Sequence, residues 1–195
     1  EAFHETNVYA LALSGQHSFG NSIGLEYAMQ ATSDEIDSST LQNNFTSRSY
    51  YKMSLLPGYR IELQNRQILT LRGGGSFDAT NRDDSAFSPL VDITWEKIHQ
   101  DGTSESVYLS YSQSTQVAGY TAVGGSETGG LFRSKHSLDR EISQNFELGG
   151  IIRRHEWSAE GAVFYRQDNN LVDWTFSKES TSARSANNVN IKTFG

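Results

Sequence analysis

Four residues, Tyr120, Phe132, Arg133 and Lys135, carry side chains that could hold an anionic ligand. An aromatic ring offers a π face for stacking, and guanidinium and ammonium groups offer charge-assisted hydrogen bonds. Together they suit an anionic ligand held without covalent chemistry. Other groupings carry less. The five histidines, at 4, 17, 99, 136 and 155, lack metal-ligand spacing such as the i, i+4 pair of a zinc-protease helix. His17, His99 and His155 fall in expected short turns. The stretch GGSETGG (124–130) lacks the Lys-Ser/Thr that completes a phosphate loop and opens no helix. It reads as a flexible external loop. Asp83-Asp84 and Asp168-Asn169-Asn170 cluster oxygen ligands without the spacing of a calcium loop, so they read as solvated acidic surface. There is no G-x-S-x-G elbow. There is no cysteine, which excludes a thiol nucleophile, a disulfide framework and a Cys-zinc site. No catalytic constellation emerges; a non-enzyme is expected, with no metal site and no cofactor.

The composition says what must position such a ligand site. A net charge of −7 over 195 residues argues against nucleic acid as a partner. Apolar residues make up only 36%, low for a water-soluble core of this size, while ten Phe, nine Tyr and three Trp favour β structure over helix. The chain does not begin with Met and its first basic residue other than histidine is Arg48, so no signal peptide is read here. The longest apolar run, Val8 to Leu13, is far short of the ~18 residues of a spanning helix. Membrane strands, which show only alternation, stay open.

Alternation of period two dominates. It runs through 23–30, 69–73, 87–96 and 107–112. Further strands are expected near 6–17, 48–63, 143–154, 157–170 and 188–195, giving about nine strands and no helix. The connections alternate in length. Short ones are expected at His17–Ser22, Gln64–Arg66, His99–Ser104 and His155–Glu156, long ones at Ser33–Ser47, Ala79–Ser85, Val117–Ile142 and Ser177–Asn187. Outer-membrane barrels sort tight periplasmic turns from longer outside loops in this way. By that rule Val117–Ile142 lies outside the cell.

Three strands carry aromatics eight residues apart on one face: Tyr51 with Tyr59, Phe87 with Trp95, Trp157 with Tyr165. Eight residues rise ~26 Å along a strand. At a tilt of ~40° that is roughly 20 Å of height, near the ~25 Å apolar band between aromatic girdles. Between each pair the same face is apolar or small: Met53 and Leu55; Val91 and Ile93; Ala159, Gly161 and Val163. The other face carries Glu26, Gln30, Lys52, Arg60, Arg72, Asp92, Thr94, Glu96, Glu160 and Arg166, which suits a hydrated lumen or a plug. Gly73-Gly74-Gly75 sits mid-strand and marks either a bend or the close approach of another backbone, such as a plug. In the stretch Asn145–Gly150, Phe146, Leu148 and Gly150 are expected to face lipid, and Asn145, Glu147 and Gly149 the interior.

Several segments resemble one family. Ser106–Ser114 looks like the "lYasYS" strand of TonB-dependent outer-membrane receptors. Ser134–Glu141 stands where their "NPDLKPE"-like motif ends a loop, although His136-Ser137 replaces Asn-Pro and Arg140 replaces Lys-Pro. Asn145–Gly149 resembles "nyElG", Gly161–Arg166 with Asn170–Trp174 resembles "aalFyrd…dLId", and Asn187–Gly195 resembles the "Nvgka.ikGvE" strand. These fall in the family's order across 106–195, whereas 1–105 match only in general character. The resemblance implies an all-β, antiparallel, up-and-down transmembrane barrel of 22 strands with a plugged lumen. Residues 1–195 would be an internal part of the barrel domain, without signal peptide, plug or final strands. It further implies integral residence in the bacterial outer membrane, with partners in the surrounding lipid, the protein's own plug, the TonB energy complex and a scarce nutrient (a siderophore-iron, cobalamin or glycan ligand). Two alternatives remain on the residues alone: a small self-contained barrel acting as adhesin or pore, and a soluble antiparallel barrel or sandwich that binds a small ligand. The latter would bury Ile23, Leu25, Val91, Ile93 and Leu109.

Overall fold

A computed structural model describes residues 3–42, 45–177 and 180–195. Ten strands form one sheet: β1 (His4–Phe19), β2 (Ile23–Ser38), β3 (Ser47–Leu63), β4 (Gln67–Thr80), β5 (Asp83–Ile98), β6 (Ser104–Gln116), β7 (Phe132–Arg133), β8 (Glu141–Arg153), β9 (Ser158–Ser177) and β10 (Ser180–Phe194). One short helix, α1 (Tyr120–Gly124), lies between β6 and β7. The strand order is β1-β2-β3-β4-β5-β6-β8-β9-β10-β7, so β1 and β10 do not pair and the sheet is open. Every sequential neighbour is antiparallel; only the two-residue β7 runs parallel, against β10.

The expected short turns are where alternation placed them: 20–22, 64–66, 99–103 and 154–157. Asn65 and Arg66 adopt φ of 60° and 58°, as tight strand reversals demand. The long connections are mostly shorter than expected. Ala79–Ser85 reduces to the turn Asn81-Arg82, and β2 continues to Ser38. Of the expected loop Ser177–Asn187, residues 180–187 are strand, while 178 and 179 lie outside the described residues, as do 43 and 44 of Ser33–Ser47. These ends are rich in Ser, Thr and Asn on both faces, so side-chain alternation fades. The backbone N–H and C=O groups still need partners, and the neighbouring strand supplies them. The strands, 13 to 20 residues apart from β7, exceed the roughly 9–11 that cross a bilayer. The excess projects mainly at the long-connection end.

One face of the sheet is apolar. Ile23, Val91, Ile93 and Leu109 all stand on it, Leu109 being 50% exposed. No second layer covers them, which rules out the sandwich alternative for the described residues. Among the described residues, the buried hydrophobic side chains are Val117, Ala122, Ala183 and Ala186. Phe146 and Leu148 share the apolar face with Tyr111 and Leu109, their register partners, as expected; Glu147 points to the other face, where it accepts a 2.7 Å hydrogen bond from the Tyr108 hydroxyl.

Strand tilt can be read from the register. The line of partners through Trp95 runs Ile61, Leu69, Trp95, Val107, Gly150, Gly161. Tyr59 stands two residues to one side of that line and Trp157 four residues to the other. For Tyr59, Trp95 and Trp157 to share one height, the sheet shears by six residues over five inter-strand steps. That is about 20 Å along the strands against about 24 Å across them, a tilt of about 40°, within the range of transmembrane barrels.

The glycine triplet packs within the sheet. A Cβ on Gly74 would lie 2.1 Å from the Leu55 carbonyl oxygen, and one on Gly75 would meet Ser88 O at 2.5 Å and the Phe87 ring at 2.7 Å. The close backbone at this point belongs to β3 and β5; Gly73 faces open space.

Candidate functional site

The segment from Val117 to Arg140 crosses the long-connection end of the sheet. It leaves β6, touches β2 and β3 through α1, returns to β10 through β7, and enters β8. At the first anchor the Tyr120 hydroxyl donates to Asp34 Oδ1 at 2.5 Å and lies 3.2 Å from the Asp34 carbonyl oxygen. Arg48 grips the same carboxylate through Nε and a terminal nitrogen, at 3.1 and 2.7 Å. The Arg48 and Arg82 guanidinium carbons lie 5.5 and 5.4 Å from the Tyr120 ring centroid, within cation–π range. The Gln42 amide donates to Gly124 O at 2.7 Å, tying the end of α1 to the segment after β2. Burial, then the hydrogen bond and charge of Asp34, push the Tyr120 phenol up to about 12, against the opposing Arg82 guanidinium.

The second anchor is at β10. Arg184 N donates to Leu131 O at 2.7 Å, Phe132 and Arg133 pair with Arg184 and Ser185, and the Phe132 ring meets Trp174 edge-on at 5.3 Å. Within the loop, Ser134 is buried; its hydroxyl donates to Thr121 O at 2.8 Å and accepts from Gly125 N at 2.9 Å. Lys135 N donates to Ala122 O. The buried apolar side chains sit at this end: Val117 and Ala122 in the loop, Ala183 and Ala186 beside β7.

The third anchor is Arg140. Its guanidinium bonds the Asp78 carboxylate and Thr115 Oγ1 through one terminal nitrogen, Asp83 Oδ2 through Nε at 3.0 Å, and Asp84 O through the other nitrogen. Thr115 also donates to Asp78 Oδ1 at 2.8 Å. Asp78 is 1% exposed. Burial works against the Arg140 charge, but Asp78 and Asp83 outweigh it and hold the guanidinium above its ordinary range. Asp83 and Asp84 are exposed, as expected of a solvated pair, and Arg140 adds a cation partner to the Asp83 carboxylate and to the Asp84 carbonyl.

The expected ligand residues do not converge on one point. Tyr120 stands at the first anchor with its hydroxyl already engaged; Phe132 and Arg133 stand at the second; Lys135 is exposed near α1. Between the anchors, the polar face holds a recess of about 290 Å³ lined by Gln30, Thr32, Asp34, Arg48, Tyr50 and Thr115, among others. Asp34, Arg48, Arg82, Asp78 and Arg140 escaped sequence reasoning because their partners lie 14 to 86 residues away. Alternation would place Asp34 and Asp78 with the polar-face residues, but both sit near strand ends that read as loop.

Farther along the polar face, charges pair across and along strands. Arg72 reaches Glu26 at 3.7 Å, Arg60 reaches Glu62 at 3.7 Å, and Arg166 Nε donates to the buried Asp168 at 2.9 Å. Histidines stay apart: His17 stacks edge-on against Phe19, His136 lies 3.7 Å from Glu127, and His155 lies 3.9 Å from Asp101. Asp101 accepts hydrogen bonds from the Thr103 amide and hydroxyl, which hold its carboxyl below the usual range. Among the described residues no group of three or more His, Cys, Asp or Glu could hold a metal ion, and no helix is long and apolar enough to cross a membrane.

A search of curated proteins gives no match. Among solved structures, the siderophore receptor PirA from Pseudomonas aeruginosa is similar, with 13% identity and a TM-score of 0.40 over 99% of this chain; the chain spans 46% of that receptor. The TonB-dependent receptor-like β-barrel family matches residues 3–194, nearly the whole length. With its apolar and polar faces, its sorted turns and this match in hand, the chain belongs to the TonB-dependent receptor β-barrel family.

Proposed function

We propose that this chain forms the lipid-facing wall, lumen surface and outer loops of an outer-membrane active-transport receptor. The whole protein takes up a scarce nutrient of the siderophore-iron, cobalamin or glycan class. A plug in the lumen and the TonB energy complex couple release of the nutrient to the periplasm. No covalent chemistry is required of these residues; the protein acts as a transporter and not as an enzyme.

The observation that carries this reading is the division of one sheet into an apolar face between aromatic girdles and a charged face roofed by the 117–140 segment. A dry outer surface and a hydrated inner one are what a wide barrel in lipid needs. Phe132, Arg133 and Lys135, spread along the roof rather than gathered at one point, offer stacking and positive charge toward an arriving anionic chelate, and Tyr120, its hydroxyl held by Asp34, contributes its ring at the inner edge.

The test uses the intact protein in a strain whose growth depends on it. Iron-chelate, cobalamin and glycan uptake are measured for the wild type and for the triple variant Phe132→Ala, Arg133→Ala, Lys135→Ala. The expected result is binding of one nutrient class, energy-dependent uptake, and an affinity loss of about tenfold or more in the variant. Uptake indifferent to the energy complex would contradict the transport reading. Unchanged affinity in the variant would remove these three residues from the ligand site.

A further inference from the structure

At the short-turn end, on the apolar face, three basic side chains gather around one carboxylate. Lys97 Nζ lies 3.8 Å from Glu105 Oε1, His99 Nε2 lies 3.4 Å from the same oxygen, and an Arg154 terminal nitrogen lies 3.8 Å from Glu105 Oε2. All four side chains are about one-third exposed. The geometry is loose: His99 Nε2 is buried yet makes no hydrogen bond. The other nearby acid, Asp101, is bound to Thr103 and lies toward His155. Asp101 also lies within the electrostatic reach of His99, and one terminal nitrogen of Arg154 is held by the Ser104 and Arg153 carbonyls. The Lys97 ammonium and the other Arg154 terminal nitrogen still share only the Glu105 carboxylate, at 3.8 Å each, which leaves donors to spare.

Position gives this surplus a purpose. Lys97 pairs with Glu105 and lies two residues beyond Trp95 on the same face. The Trp95 indole N–H donates to Gln67 at 3.0 Å, and Gln67 is the register partner of Lys97. A tryptophan with its ring on the apolar band and its N–H turned to a polar rim marks a membrane–water boundary. The exposed Ile152, partner of Glu105, and the exposed Trp157 flank the cluster with apolar surface. Cations above, hydrocarbon below and spare donors between match the layout of a phospholipid.

We propose that Lys97, His99 and Arg154 bind the phosphate head group of an anionic phospholipid of the periplasmic leaflet, with an acyl chain lying along Ile152 and Trp157. The inference rests on this chain being a lipid-embedded receptor barrel whose short turns face the periplasm. Phosphate oxygens accept from guanidinium and ammonium groups, and a cationic site near a membrane surface adds attraction for anionic lipid. Glu105 holds the cations in place and competes with the phosphate for them.

The test is native mass spectrometry of the intact protein, extracted from membranes and exposed to defined phosphatidylglycerol and phosphatidylethanolamine. Wild type is expected to retain phosphatidylglycerol in preference. Lys97→Gln with Arg154→Gln is expected to lower that retention about tenfold or more, and Glu105→Gln, which keeps both cations, to raise it. Equal retention by all three proteins would overturn the proposal. Displacement of the lipid by glycerol phosphate alone would show a free-phosphate site and would also overturn it. Membrane fractionation on the same samples separates the two readings: a protein recovered outside the lipid fraction refutes both, whereas an embedded barrel with unchanged retention refutes only the lipid site.

Discussion

The phenolic hydroxyl of Tyr120 donates to Asp34 at 2.5 Å across 86 residues of chain, so the longest connection is fastened to the second strand rather than left in solvent. The Asp34 side chain is shared with Arg48, which leaves the carboxylate paired whether or not the tyrosine is present. The tyrosine therefore acts on the loop more than on the sheet.

Tyr120→Phe keeps the ring between Arg48 and Arg82 and removes only the hydroxyl. Loss of one hydrogen bond to a charged group costs roughly 1.5–3 kcal/mol. Hydrogen exchange should show faster opening of residues 119–136, with exchange in β4 to β6 unchanged. Slowed or unaltered exchange in the loop would show that the Asp34 contact does not hold it.

Burial of the Tyr120 phenol, with its hydrogen bond to Asp34, sets a pH window. The native state keeps the Tyr120 proton up to about 12, whereas an unfolded chain releases it near the ordinary value of 10.0. Between these values the unfolded state binds fewer protons, so stability falls as pH rises. The contribution is fully present below 10 and is lost on passing 12. Absorbance titration of tyrosinate should show the late-titrating amplitude fall by one tyrosine in Tyr120→Phe.

Arg140 and Asp78 form a buried pair in which the arginine also serves Thr115, Asp83 and Asp84. Arg140→Ala leaves Asp78 charged, buried and short of its partner, which costs about 3–5 kcal/mol. Arg140→Lys should recover little, because one ammonium nitrogen cannot reach the separated acceptors that three guanidinium nitrogens reach. Asp78→Asn together with Arg140→Gln should lose less than Arg140→Ala. Denaturation of the refolded barrel measures all three; a mild Arg140→Ala would contradict the assignment.

The glycine triplet predicts a gradient over three adjacent positions. Gly74→Ala drives a Cβ into the Leu55 carbonyl and should impair folding. Gly75→Ala meets both the Phe87 ring and the Ser88 carbonyl, and should also destabilise. Gly73→Ala meets nothing within 4 Å and should be neutral. Heat-modifiable mobility of the folded barrel reports the order, and equal behaviour of the three would refute it.

The sheet was legible where one face is apolar. Val107, Leu109 and Tyr111 alternate with Tyr108, Ser110 and Ser112, and the structure pairs them with Gly150, Leu148 and Phe146 in the register that alternation requires. Gln64–Arg66 was legible because the turn breaks that pattern abruptly. The strand ends were not. Ser33, Asp34 and Ser38 look like loop, yet they pair with Tyr9, Val8 and His4 because the backbone continues after hydrophobic contrast has gone. The helix α1 has five residues, too few to leave a period. The three anchors depend on which distant strands lie under one loop, and that proximity is a property of the curled sheet, absent from any local stretch. Arg140 could be seen as a departure from the family's loop motif, but its partners Asp78 and Thr115 could not.

The apolar face of this sheet is assigned to lipid and the charged face to water. Residues 1–195 hold no cysteine, so a single cysteine introduced here is read against a background in which any cysteine elsewhere in the intact protein has first been replaced by serine. The decisive measurement is a cysteine scan of residues 107–112 in the intact protein within its membrane, using a water-soluble maleimide and lipid-borne nitroxide quenching of a fluorescent label. Quenching without aqueous labelling is expected at 107, 109 and 111, and aqueous labelling without quenching at 108, 110 and 112. Uniform labelling at all six positions, or the opposite alternation, would contradict it.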